Sequence, residues 1–173
     1  MSILTRTLPI LALAAGTTFA AYAAPASVPA ARPAAVASQP APVKRIRKSD
    51  AEWKRLLTPE QYHVLREAGT ETAFTGKYWN EHRRGVYVCA GCGLELFRSD
   101  DKFDSKTGWP SFTRAIVANH VMNREDTSLG ETRTALQCAR CGGHLGHLFD
   151  DGPPPTGLRF CINSAALTFV PGK

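Results

Sequence analysis

Cys89-Ala-Gly-Cys-Gly93 and Cys138-Ala-Arg-Cys-Gly142 are one knuckle written twice. Two Cys-x-x-Cys-Gly turns read as a four-thiolate zinc site, because tetrahedral Zn²⁺ takes two sulfurs from each turn and the glycine lets the backbone fold round the metal. Four protein sulfurs leave no open position, so such a metal is structural, one per chain, and losing it should unfold the domain. Two disulfides are the competing arrangement, permitted in an exported chain. Cys-x-x-Cys pairs, however, close very small rings that constrain the unfolded chain least. A thioredoxin-like redox role for either pair would need a parallel βαβ setting that the sequence does not offer. The chain has five cysteines, so Cys161 is left over and is free to react.

Outward from the knuckles, the pattern is of short β-prone runs behind two helices. Ser49-Asp-Ala-Glu52 has the form of a capping box, and Thr58-Pro-Glu-Gln61 repeats it with proline at the first helical position. The first helix is expected to bury Trp53, Leu56 and Leu57 on one face. The second should present Tyr62 and Leu65 and stop at a left-handed cap on Gly69. Strands are predicted at Gly85 to Cys89, Leu94 to Phe97, Ala115 to Val121, Thr132 to Gln137, Leu158 to Ile162 and Ala166 to Val170, separated by Gly, Pro, Asp and Asn clusters. The fold class is therefore mainly β: small antiparallel sheets, two N-terminal helices and a four-cysteine zinc site.

Residues 1–43 contain no acid. A basic start at Arg6, an apolar run from Leu8 to Ala15 too short to span a bilayer, and Ala21-Tyr-Ala23 together read as a secretory signal peptide over residues 1–23. Export, with a bacterial periplasm as the destination, follows from that reading; an organelle transit peptide is the alternative. Residues 24–48 are an Ala/Pro-rich linker ending in the basic run Lys44-Arg-Ile-Arg-Lys48, read as a solvated tail. The formal charge of +6 does not mark a nucleic-acid binder. Residues 1–48 hold six basic groups, so residues 49–173 hold 21 minus 6, or 15, against all 15 acids. Neither a nucleic-acid partner nor stable membrane insertion is expected, and the chain is expected to be a monomer.

Cys161 lies in Gly157-Leu-Arg-Phe-Cys-Ile-Asn-Ser164, where a strand would put Arg159 and Asn163 on its own face. A cation beside a thiol favours the thiolate, which is the nucleophile. His144 and His147 stand in Gly142-Gly-His-Leu-Gly-His-Leu-Phe149, read as a glycine-rich loop, and could transfer protons near neutral pH. Trp109, in Asp104-Ser-Lys-Thr-Gly-Trp109-Pro-Ser-Phe112, and Phe149 could wall an apolar pocket. A buried structural cysteine in a zinc-stabilised binding module is the competing reading.

From about Ser49 to Val170 the chain closely resembles the B-type peptide methionine sulfoxide reductases. The resemblance rests on Asp50 to Tyr62, Phe74-Thr-Gly-Lys-Tyr-Trp79, Lys102 to Phe112, Gly143 to Gly152 and Arg159 to Ala165, in order, with both knuckles between them. It implies two antiparallel sheets with a structural zinc over residues 49–173, and reduction of the R epimer of methionine sulfoxide in oxidised proteins or peptides. It also implies Cys161 as nucleophile and a pocket at Trp109, His144, His147, Arg159 and Asn163. The chemistry asks for a nucleophile, an acid for the oxygen and a small apolar pocket for the methyl group. Its products are methionine and a sulfenic acid on Cys161. Many members carry a resolving cysteine just before Gly-Trp-Pro-Ser-Phe; here Thr107 stands there, after Lys106. A one-cysteine cycle is implied, completed by a thioredoxin-like protein or a small thiol.

Overall fold

The computed structural model describes residues 40–172, so the expected signal peptide and the linker as far as residue 39 lie outside the described residues. Helix α1 (Asp50–Leu56) and helix α2 (Pro59–Glu67) both start on complete capping boxes. Ser49 accepts from the Glu52 amide at 3.3 Å while its own amide donates to the Glu52 carboxylate at 2.7 Å. Thr58 and Gln61 repeat the exchange at 3.2 and 3.1 Å. Each box satisfies two amides that the first helical turn leaves free.

Two expectations fail at the helix ends. Leu56 is 60% exposed, whereas Trp53 is 1% exposed. The helix stops at Leu56, and Leu57, already extended, turns inward in its place. The left-handed cap of α2 is Ala68, at φ 57°, and not Gly69. Gly69 closes the same turn by donating its amide to the His63 carbonyl at 3.0 Å.

Among the described residues nine strands form two antiparallel sheets. The smaller has the order β2 (Glu95–Arg98), β1 (Gly85–Cys89), β9 (Leu167–Pro171). The larger runs β3 (Lys102–Phe103), β4 (Ser111–Phe112), β8 (Arg159–Ile162), β7 (His144–Phe149), β6 (Arg133–Cys138), β5 (Val121–Asp126). Aromatic rings join them: Phe97 of β2 stacks on Phe112 of β4 with centroids 4.4 Å apart, and Tyr87 of β1 meets Phe112 edge-on at 5.0 Å. All three are fully buried, and such pairs add to the stabilisation from burial alone. Trp53, Val64 and Leu65 from the helices complete this core with Leu136, Leu145 and Ile162.

The glycine-rich segment at His144 to Phe149 is strand β7 and not a loop. Its pairing with β6 slips between Leu136 and Gln137, which leaves Leu145 as the extra residue of a bulge. The bulge breaks the two-residue alternation by which a strand is recognised in sequence. The run Ala115 to Val121 is likewise no strand: a 3₁₀ turn spans Ala118–His120, and β5 begins at Val121.

Residues 41–46 lie along the domain, so the basic run is not a free tail over its whole length. The Ile46 amide donates to the Arg140 carbonyl at 2.8 Å, Asn119 Nδ2 donates to the Ala41 carbonyl at 2.9 Å, and Val43 and Ile46 are half-buried against the core. Ile46→Asp is expected to lower Tm by several degrees, from about 1–2 kcal/mol of lost apolar burial. A change at exposed Arg47 should leave Tm unmoved, and calorimetry on the two variants checks the pair.

Candidate active site and metal centre

The two knuckles superimpose in their bonding. Gly93 donates to the Cys89 carbonyl and Gly142 to the Cys138 carbonyl, both at 2.8 Å, and both glycines sit at φ 70°, a conformation that disfavours any side chain. The four sulfurs all lie within 4.8 Å of one another. The contacts run between knuckles, Cys89 to Cys141 at 3.6 Å and Cys92 to Cys138 at 3.5 Å. Sulfurs bonded to one zinc at about 2.3 Å in a tetrahedron stand about 3.8 Å apart. The donor set therefore fits a single four-coordinate zinc, with no position left for substrate.

Cys161 lies on β8 between two neighbours on the larger sheet: Ser111 of β4 on one side and His147 of β7 on the other. The close approach of β7 depends on Gly146, where a Cβ would collide with the Cys161 carbonyl oxygen. Cys161, His147, Trp109, Phe149 and Asn163 line one cleft of about 140 Å³, together with Thr70, Arg133, Gly146 and Ile162. Five of the seven pocket residues named from sequence thus meet in one place. Arg159 and His144 stand behind it. Arg159 is buried, stacked over the Phe149 ring at 4.2 Å, and donates from Nε and Nη2 to Asp151 at 2.7 and 2.8 Å.

The two histidines separate in character. His144 is 5% exposed, its Nε2 has no partner among the described residues, and burial, with His147 close by, pulls its imidazole down to about 4. It is neutral at pH 7. His147 faces the cleft and holds Asp126 at 2.7 Å through Nε2. Arg133 donates to the same carboxylate oxygen at 2.6 Å. Hydrogen bonds from Ser128 first, then from His147 and Arg133, keep Asp126 well below the usual carboxylate range. At Cys161 burial is the larger influence and pushes the thiol up, against the Arg159 charge and hydrogen bonds from Thr107 and Ser111.

Asp126, Arg133, Asp151 and Glu71 were not singled out in the sequence. Asp126 is remote in sequence from His147, and only strand pairing joins them. Glu71 is a polar residue among threonines, with the texture of a solvated loop, yet it is 7% exposed. Its carboxylate accepts from the Ser164 and Ala165 amides at 2.7 and 2.8 Å. Its amide donates to Asn163 Oδ1 at 3.0 Å, and its carbonyl accepts from Trp109 Nε1 at 3.1 Å. One residue thereby ties two walls of the cleft to the end of β8.

Known proteins resemble this chain over most of its length. The model of the SelR domain matches residues 57–171. The chain is 60% identical over 124 residues to the peptide methionine sulfoxide reductase MsrB of Thiobacillus denitrificans, covering 72% of this chain and 94% of that protein. It is 54% identical over 127 residues to the MsrB of Agrobacterium fabrum, covering 73% and 94% respectively. With the MsrB of Bradyrhizobium diazoefficiens it shares 58% over 127 residues, covering 73% and 91%.

Two outcomes test this construction. Removing metal with a strong chelator should abolish cooperative unfolding and be reversed by Zn²⁺ alone, as followed by circular dichroism and metal analysis. Glu71→Ala strips a buried carboxylate from two amides and should cost roughly 2–4 kcal/mol in denaturant titration. It should also raise KM for a sulfoxide peptide, because the Trp109 and Asn163 anchors loosen with it.

Proposed function

This chain belongs to the SelR-domain family of peptide methionine sulfoxide reductases, and from that premise we propose that it reduces the R epimer of methionine sulfoxide in oxidised proteins and peptides, with Cys161 as nucleophile. The observation that carries this reading is the cross-strand pair of Cys161 and His147 in a cleft walled by Trp109 and Phe149.

The Cys161 thiolate attacks the sulfoxide sulfur, and one proton is taken up at the oxygen. The methionine S–O bond breaks, oxygen passes to the Cys161 sulfur, and two electrons pass from that sulfur to methionine's. The products are the thioether and a sulfenic acid. His147 is the proton donor in this reading: it faces the cleft, whereas His144 is buried and neutral at pH 7. Asp126 on Nε2 orients the ring, leaving Nδ1 for the substrate oxygen. Trp109, held through its indole nitrogen, gives the methyl group an apolar wall. Arg159 favours the thiolate from behind, and Asn163 fixes the strand end by donating to the Leu145 carbonyl at 3.0 Å.

The other four cysteines form the metal cluster, and Thr107 stands where an internal resolving thiol would be. The sulfenic acid is therefore reduced by an external dithiol or two monothiols, giving water and a disulfide, with a thioredoxin-like protein or a small thiol as donor. Zinc in the cluster would hold the two knuckles together and takes no part in the reaction. The acid-free leader supports export to a bacterial periplasm.

Cys161→Ser should abolish reduction of R-sulfoxide peptide while zinc content and fold persist; retained activity would remove Cys161 from the chemistry. In wild type, one turnover without reductant should consume one free thiol. Loss of two, with an internal disulfide found by mass spectrometry, would overturn the one-cysteine cycle.

A further inference from the structure

Trp109 lines two hollows. One is the cleft of about 140 Å³ that holds Cys161; the other, of about 330 Å³, is walled by Phe74, Trp79, Asp104, Lys106 and Gly108 among others. The two share no further lining residue, so the indole is the partition between them. One chain segment also joins them, since Thr70 borders the cleft and Phe74 and Trp79 border the outer hollow. Sites that enclose a whole small molecule measure about 300–1,000 Å³. The cleft is smaller than that, so the chain on either side of an oxidised methionine must lie on the surface next to it.

The outer hollow carries an aromatic ledge. Phe74 is 55% exposed and Trp79 37% exposed, and their rings meet edge-on with centroids 5.4 Å apart. Among the described residues six large apolar side chains are exposed, and three of them, Phe74, Trp79 and Phe149, border the cleft or this hollow. The ledge is held in place. Phe74 sits at φ 67°, a left-handed backbone that costs a bulky residue energy. Its amide donates to the Gly108 carbonyl at 2.9 Å, and a Cβ on Gly108 would stand 2.7 Å from the Phe74 nitrogen. The Trp79 carbonyl accepts from Lys102 Nζ at 3.0 Å. Strain that turns a ring out to water gains the fold little burial, which points to a use outside the fold.

Charge marks which side of the cleft suits an apolar group. Asp104 and Lys106, at the rim of the ledge, are paired at 2.6 Å. Past Phe149 and Arg133, at the other end of the cleft, Glu131 and Asp150 stand exposed. We propose that Phe74 and Trp79 form a subsite for an apolar or aromatic side chain of the substrate, two residues from the oxidised methionine. The proposal rests on the reductase reading and names the peptides that the same site takes best. An extended peptide brings every second side chain to one face, roughly 7 Å apart. With the sulfoxide in the Cys161 cleft, the next side chain on that face passes the Trp109 partition and meets the ledge.

The test uses three capped R-sulfoxide pentapeptides with the oxidised methionine central and alanine elsewhere: one plain, one with phenylalanine first, one with phenylalanine last. In zinc-loaded full-length protein, one of the phenylalanine peptides should show a KM roughly three- to tenfold below the plain peptide at unchanged kcat. Trp79→Ala should erase that gain without moving KM for the plain peptide, and Trp79→Phe should keep part of it. Phe74→Gly removes the ring and relieves the backbone together, so it should lose the gain while Tm holds or rises. A fall in Tm with the gain intact would make Phe74 a packing residue and overturn the proposal. Three peptides at one KM, or a gain that survives Trp79→Ala, would do the same. So would an effect of Trp79→Ala on the KM of the thiol reductant alone, or on a dimer seen in sedimentation. Isothermal titration of the same peptides into Cys161→Ser protein separates the two claims. A three- to tenfold difference in Kd there, with no turnover by wild type, would remove the reductase reading and leave the ledge. Equal Kd values with turnover would leave the reductase and remove the ledge.

Discussion

The meeting of two turns, sulfur to sulfur, sets where everything else falls. One knuckle joins β1 to β2 in the smaller sheet, and the other joins β6 to β7 in the larger, so the four-cysteine cluster fixes the sheets at a common corner. Strand β7 leaves that corner with Leu145 bulged and Gly146 bare, and this brings His147 opposite Cys161. The far end of β8 is fixed independently, by the Glu71 carboxylate on the Ser164 and Ala165 amides. The strand that carries the proposed nucleophile is therefore clamped on both sides.

Cys161 shows two demands in conflict. In the proposed reaction a thioether methyl needs an apolar hollow, and Trp109, Phe149 and Ile162 line one beside the sulfur. The same hollow strips water from the sulfur and disfavours the charge that the proposed attack requires. Arg159 and the Thr107 and Ser111 hydroxyls work against that penalty without cancelling it, since burial still prevails. The Arg159 charge is the larger aid of these, although Asp151 shares it. The arginine is visible in the sequence two residues before Cys161, whereas its carboxylate lies eight residues upstream of it and meets it only in the fold.

What could be read from sequence was local or was carried by exact spacing. The capping boxes at Ser49 and Thr58 depend on residues three apart and the knuckles on cysteines three apart; these features stand in the structure as read. Simple alternation predicts Arg159, Cys161 and Asn163 on one face, but β8 ends at Ile162, and Cys161 and Asn163 line the cleft while Arg159 stands behind it. The resemblance located Trp109 and the histidines. What could not be read depends on distant pairing. His144 and His147 looked like loop residues because a bulge hides the strand period, and Asp126 reaches His147 only through the β5–β6–β7 ladder. Glu71 has no sequence mark of burial, since its partners are backbone amides whose position depends on how β8 ends.

Two guanidinium groups and an imidazole stand at or behind the cleft, a set of side chains typical of a site for anions. The two guanidinium groups meet two carboxylates: Asp151 on Arg159, and Asp126 on Arg133, with His147 bonded to the same Asp126 oxygen. The cleft is thus close to electrically balanced and presents oriented dipoles in place of a net field. A sulfoxide is an uncharged group with a strong S–O dipole, and such a surface can orient it without drawing in phosphate or carboxylate. Mobile ions screen net charge over about 8–10 Å but hardly touch dipoles at contact distance. Recognition of this kind is indifferent to the salt around it, as suits an enzyme whose targets are damaged side chains on proteins of every charge.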